Sequence, residues 1–173
     1  QDGKWIFYRT SSTDAGRGDI LVKRVGDSVA VPLLATPTDE RHPTLSPDGR
    51  WLAYRSAETG NAQVYVKPFP KVEDGKWQVS SAGGSDPMWA HNGKELFFVN
   101  GANEMVSATV VTQPTFSARE QHVLFTIPTD IRPNPAKPLY DVSPDDRRFI
   151  MIRSASDGAG RVRHDRLILV TNW

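Results

Sequence analysis

The side chains best equipped for chemistry are four histidines and a carboxylate that keeps returning along the chain. His42, His91, His122 and His164 offer imidazole nitrogens for a divalent metal. A metal site needs several donors converging, and none of the four forms a His-x-x-x-His ligand pair. Turn and strand-edge roles are expected of them, without a metal. Glycosidic or other acid/base cleavage needs two carboxylates at one converging site. Asp2, Asp48, Asp145 and Asp146 instead recur within one repeated motif, so each is expected to hydrogen-bond its own turn. A serine nucleophile of the hydrolase type needs the elbow Gly-x-Ser-x-Gly, which the chain lacks. Gly83-Gly84-Ser85-Asp86 has the composition of a phosphate or oxyanion loop. No helical pattern follows it, and it is expected to be a loop between repeats. Arg9, Arg55 and Arg153 recur just after the apolar runs and could form a charged ring, though paired or solvated arginines are the default. No catalytic residue and no cofactor is expected.

These residues are carried by a repeat. Ser46-Pro47-Asp48-Gly49 leads into Arg50-Trp51-Leu52-Ala53-Tyr54. Ala90-His91-Asn92-Gly93 leads in the same way into Lys94-Glu95-Leu96-Phe97-Phe98, 44 residues later, and Ser143-Pro144-Asp145-Asp146 into Arg147-Arg148-Phe149-Ile150-Met151 after a further 53. Asp2-Gly3-Lys4-Trp5-Ile6-Phe7-Tyr8 is the tail of the same motif, 46 residues before Gly49. Pro presets the first corner of a tight turn and Gly supplies the positive φ that ends it. The apolar run is then the returning strand of a hairpin. Asp146 stands where glycine is expected; Asp visits the left-handed region more easily than most residues, so the turn survives with some strain.

Between the motifs the pattern is strand throughout. In the second repeat the strand-like runs are His42–Ser46, Leu52–Ser56, Gln63–Lys67 and Trp77–Ser80, and in the third Pro87–Ala90, Glu95–Val99, Met105–Val111 and His122–Ile127. No segment keeps helical apolar spacing over three turns. Four-stranded antiparallel units at this period are the signature of a β-propeller, and equivalent positions such as His42 and His91 would then approach a common axis. The expected repeats are 1–40, 41–84, 85–128 and 129–173, the outer two truncated. Pro128–Pro138, with four prolines, is the long connector that widens the last spacing. Ala155–Val162 is expected to be a loop, and the interrupted basic run from Arg161 to Arg166 a solvated one.

The repeat Ser-Pro-Asp-Gly-Arg-Trp-Leu-Ala-Tyr, followed by Ser56, Gly60 and Val64-Tyr65-Val66, resembles the TolB-type propeller repeat. Several further phrases resemble the propellers C-terminal to bacterial receptor serine/threonine kinases. They are Pro32-Leu33-Leu34-Ala35-Thr36-Pro37, Tyr65-Val66-Lys67-Pro68-Phe69-Pro70, Lys76-Trp77-Gln78-Val79-Ser80 and Leu169-Val170-Thr171-Asn172-Trp173. The resemblance implies a non-catalytic sensor or interaction module on the extracytoplasmic or periplasmic side of a bacterial cell. The kinase itself is not in this chain, which has no Gly-rich loop, His-Arg-Asp or Asp-Phe-Gly. The alternative is an accessory propeller that gates a prolyl-oligopeptidase-type serine peptidase.

Composition fits this reading. The chain has 173 residues, 38% hydrophobic and 24% charged, enough for a packed core and too apolar for a disordered chain. Its 21 basic and 20 acidic residues leave a net charge of +1, which argues against nucleic-acid partners. The absence of cysteine removes disulfides, thiolate metal sites and Cys nucleophiles. Apolar runs of about four residues do not span a membrane, and Gln1-Asp2-Gly3-Lys4 does not open a signal peptide. The expected architecture is an all-β propeller segment, the C-terminal half of a larger ring. Its open ends call for a protein partner: the missing half, or a second copy forming a homodimer.

Overall fold

The hydrogen bonds of the turn Ser46-Pro47-Asp48-Gly49 show why the motif repeats. Ser46 N–H donates to Trp51 O at 2.8 Å and Gly49 N–H to Ser46 O at 2.9 Å. The Ser46 hydroxyl donates to Asp48 Oδ1 at 2.5 Å and accepts the Trp51 N–H at 3.0 Å. Gly49 closes the turn at φ +72°, where a Cβ would be strained. Ser143 repeats the arrangement, donating to Asp145 and accepting the Arg148 N–H at 3.0 Å. In the third turn Asn92 does the work of the aspartate, its Oδ1 accepting the Lys94 N–H at 2.7 Å, with Gly93 at φ +69°. Gly3 has the same left-handed φ, +66°.

The computed structural model describes residues 3–10, 18–131, 138–156 and 162–171, and the side chains among these outside 154–166. Asp2, Asn172, Trp173 and most of the proline-rich connector lie outside the described residues. The strands are β1 (Trp5–Arg9), β2 (Ile20–Arg24), β3 (Val31–Leu34), β4 (Glu40–Leu45), β5 (Trp51–Ser56), β6 (Gln63–Pro68), β7 (Trp77–Gln78), β8 (Ser85–Trp89), β9 (Glu95–Val99), β10 (Glu104–Val111), β11 (Ser117–Thr126), β12 (Tyr140–Val142), β13 (Arg148–Ser156) and β14 (Val162–Thr171). They form four antiparallel sheets in the orders β1-β2-β3, β4-β5-β6-β7, β8-β9-β10-β11 and β12-β13-β14, with no helix among the described residues. This is an all-β partial propeller.

Several boundaries differ from the sequence reading. Ser85 and Asp86 belong to β8 and not to a loop, because their backbone is the start of the blade's first strand. Ala155 and Ser156 continue β13 and Val162–Arg166 begin β14, so these parts of the expected loop and of the basic run are paired strand, while 157–161 lie outside the described residues. Pairing between Arg153 and Arg166 and between Ala155 and His164 extends the ladder past the apolar core. The charge of that segment hid its strand character.

Three apolar clusters join the four sheets in series. Sheet one meets sheet two through Ile20, Val22 and Leu34 against Leu52, Tyr54 and Tyr65. Sheet two meets sheet three through Trp51, Ala53 and Val64 against Trp89, Leu96 and Phe98. Sheet three meets sheet four through Phe97, Val99 and Met105 against Tyr140, Phe149 and Met151. Burying each large side chain is worth about 1.5–3 kcal/mol, so the junctions dominate the fold. Interior strands are covered on both faces, which is why β5 and β9 read as unbroken apolar runs and not as alternations.

Candidate functional site

The first strands of the two complete blades, β4 and β8, pack against each other, and both carry the same irregularity. The β4–β5 register shifts between Arg41 and Thr44, and the β8–β9 register between Ser85 and Met88. At these bulges His42 and Asp86 both take φ 51°, and each precedes a proline, Pro43 and Pro87. Left-handed, pre-proline backbone at a non-glycine residue costs on the order of 1–3 kcal/mol and is found where a side chain must be aimed. Here the bulges aim the two side chains at one another, with His42 Nδ1 3.1 Å from Asp86 Oδ1. Asp86 is buried and also accepts the Leu139 N–H at 3.1 Å, while its main-chain oxygen accepts the Tyr140 hydroxyl at 2.9 Å. Burial, reinforced by the Asp86 charge, pushes the Tyr140 phenol well above its ordinary value. Asp86 thus ties the first strand of sheet three to His42 of sheet two and to Leu139 and Tyr140 at the start of sheet four.

At the strand-entry end lies a second polar cluster. Asp39 receives Arg9 at 2.7 Å, Arg41 at 2.5 Å and Arg55 at 3.3 Å. Burial alone would raise the Asp39 carboxyl, but the bonds and charges of Arg41 and Arg9 outweigh it and hold the group below its ordinary value. Beside it Glu40 is buried, accepting hydrogen bonds from the Thr36 and Thr38 hydroxyls. Its carboxyl is pushed up, chiefly by burial and also by the charges of Asp19 and Asp39, against the pull of those hydroxyls. Arg9 and Arg55 therefore meet as the sequence allowed, whereas Arg153 departs to Asp130 at 2.6 Å, so the three do not form one ring.

At the turn end, a pocket of about 340 Å³ is lined by Thr44, Leu45, Pro47, Met88, Trp89, His91 and Asp141. His91 sits in its turn, where Asp146 of the next blade reaches it. His122 is exposed on β11 with Glu120 at 3.6 Å. His164 pairs through its backbone with Ala155 in β14, and its side chain lies outside the described ones. The histidines His42, His91 and His122 are thus dispersed. Among the described residues no group of three or more His, Asp or Glu side chains is placed to hold a metal ion. Asp48 and Asp145 bond their own turns, and for Asp48 the burial that would raise its carboxyl is outweighed by Ser46 and Arg50. The Gly83-Gly84 segment is bound to neighbouring loops, with Gly84 N–H donating to Ala62 O at 2.8 Å.

Sequence reading missed Asp39, Glu40 and Asp86 as site residues. Aligning the repeats would have exposed Asp86, because His42-Pro43 and Asp86-Pro87 stand at the same spacing before their turns.

Comparison with solved structures decides the fold. TolB from Acinetobacter baumannii superposes on 98% of the chain with a TM-score of 0.65 at 15% identity. The chain has the fold of a TolB-like β-propeller. It spans only 38% of that TolB chain, and 47% of the putative TolB from Agrobacterium tumefaciens, which matches 70% of this chain at 19% identity and a TM-score of 0.53. The acylaminoacyl peptidase of Pyrococcus horikoshii matches 97% of the chain over 29% of its own length, at 13% identity and a TM-score of 0.51. No family model matches the chain, and no characterised protein matches it by sequence.

Proposed function

We propose that the chain is a non-catalytic propeller module that recognises a protein or ligand at its axial surface. The observation that carries this reading is the pocket of about 340 Å³ at the turn end, where Thr44 of sheet two, Met88 and Trp89 of sheet three and Asp141 of sheet four meet beside His91. The repeated carboxylates meanwhile serve turns and blade contacts, which leaves no nucleophile, base and orienting group assembled as one set among the described residues. The chain is expected not to turn over ester, peptide, glycoside or phosphoester substrates. Turnover abolished by a single substitution at His42, His91, His122 or His164 would overturn the reading.

The resemblance of its repeat phrases to kinase-linked propellers favours a sensor segment on the extracytoplasmic side of a bacterial signalling protein. The likeness to acylaminoacyl peptidase supports a second reading, a propeller that gates a hydrolase. The flanking coding sequence discriminates. A kinase and a membrane span upstream accord with the first, and a downstream α/β-hydrolase with Gly-x-Ser-x-Gly accords with the second.

A further inference from the structure

Between sheets two and three, at the end opposite the Ser46–Gly49 turn, the loops 57–62, 79–84 and 100–103 border a pocket of about 430 Å³. That volume lies within the ~300–1,000 Å³ range of small-molecule sites. Its walls are set by main chain. Gly84 N–H donates to Ala62 O at 2.8 Å and Gly101 N–H to Ala82 O at 2.9 Å. A Cβ on Gly83, at φ +81°, would stand 3.0 Å from the N and Cα of Gly101, so the loops press backbone on backbone. No acidic, basic, histidine or aromatic side chain is among the described residues that line the pocket; its polar groups are amides and hydroxyls.

Gln63 is the deepest of these, 7% exposed. Its Oε1 accepts the Ser80 hydroxyl at 2.6 Å, and that hydroxyl accepts the Val64 N–H at 2.8 Å. The Gln63 Nε2 donor makes no hydrogen bond to any described residue. Asn61, Ser81 and Ser85 likewise keep their side-chain donors unbonded among the described residues, whereas Asn100 is spent on Glu104 and its own loop. A buried amide of this kind is unfavourable until an acceptor reaches it.

We propose that this pocket binds a neutral sugar unit of a glycan. The inference goes beyond the binding role proposed above, uses the other end of the sheets, and does not depend on it. Amides and hydroxyls present donors and acceptors side by side, as vicinal sugar hydroxyls do. An ion would meet no counter-charge to offset its desolvation, and an apolar ligand would strand the Gln63 donor. Ala62 O and Ala82 O already accept main-chain bonds, so the pocket offers side chains and not a strand edge for a peptide. With no ring to stack on, hydrogen bonds carry the selectivity and the affinity is millimolar.

Titration of the full chain, followed by its amide NMR signals, tests this with maltotriose, cellotriose and N-acetylated chitotriose. At least one should give saturable shifts clustered at residues 61–63, 81–85 and 99–101, with the turns at 46–49 and 90–93 unmoved. Deacetylated chitotriose, which is cationic, and trigalacturonate, which is anionic, should bind more weakly than the neutral trisaccharides. Gln63→Glu keeps the oxygen that Ser80 needs and removes the donor, and should weaken binding roughly tenfold, the scale of one hydrogen bond. Asn61→Asp, at an exposed loop position that does not burden the fold, should weaken it severalfold. No shift at this pocket with any neutral trisaccharide overturns the inference. So does tighter binding of a charged one or of a blocked neutral tripeptide, or wild-type affinity in both variants.

Discussion

The Asp146 carboxylate of the fourth blade's turn holds the third blade's turn by the backbone of His91. Its Oδ1 accepts the His91 N–H at 2.7 Å and stands 2.8 Å from His91 Nδ1, and its Oδ2 accepts the Asn92 N–H at 3.0 Å. The residue that breaks the glycine rule at φ 57° is thereby a staple between blades. Left-handed strain costs roughly 1–2 kcal/mol, and charged hydrogen bonds are worth roughly 1.5–3 kcal/mol each. The bonds win even after discounting for solvent. Asp146→Gly should therefore destabilise the chain by about 1 kcal/mol despite relieving the backbone, and urea unfolding measures it. A neutral or stabilising result would mean that the staple contributes nothing in solution.

At Gly49 backbone strain can be isolated from crowding. A Cβ added there would meet only Leu45 Cδ2, at 4.0 Å, so a substitution is opposed by φ +72° and not by a clash. Gly49→Val should cost roughly 1–3 kcal/mol, since a β-branched residue is forced to positive φ. Gly49→Asn, which tolerates that region, should recover much of the loss. Equal stability of the valine and wild-type chains would contradict a left-handed turn.

The Asp39 cluster predicts an acid limb. Its carboxyl is held below the ordinary value of 3.8, as are those of Asp48 and Asp146, so the folded state keeps them charged more readily than the unfolded one. Their contribution is fully present above that value and is lost as pH falls through the lower folded values. Glu40 acts oppositely: its raised carboxyl penalises the fold while ionised, and protonation relieves the penalty. Thermal melts of the wild-type chain and of Asp39→Asn from pH 7 to pH 2 should show a flatter acid limb in the variant. Parallel curves would mean that the arginines do not hold Asp39 in solution.

Phe149 is fully buried and touches the rings of Phe97, Phe125 and Tyr140 at centroid distances of 5.0, 5.6 and 5.6 Å. Phe149→Ala should cost about 3–5 kcal/mol, enough to loosen the third junction. Ile150→Ala, one residue away on the open face, should cost well under 1 kcal/mol in a monomeric state. Similar losses at both positions would mean that both faces of sheet four are covered.

The turns were legible in the sequence because their chemistry is local: Pro47, Asp48 and Gly49 act within four residues. The blades were legible because the turns repeat. Ser85, Asp86 and Ser156 were misread, since their polarity outweighed a strand pairing that only the neighbouring strand supplies. The Asp39 cluster was hidden for a related reason. Arg9 lies 30 residues away and Arg55 16 residues away, so no local spacing brings them together. The His91–Asp146 staple spans 55 residues and shows in the sequence only as an anomaly in a turn.

The outer margin of sheet four has one more consequence. Among the described residues β14 is the last strand of its sheet, and Leu167-Ile168-Leu169-Val170-Thr171 offers a row of unpaired peptide groups beside apolar side chains. The outermost strand of sheet three, β11, carries Arg119, Glu120, Gln121 and His122, charges and polar groups of the kind that discourage strand addition. The five residues from Leu167 carry neither charge nor proline, the composition of a cross-β segment. When the chain is concentrated or warmed, filament growth should begin at this margin. A single lysine at Leu169 would act as a gatekeeper against it.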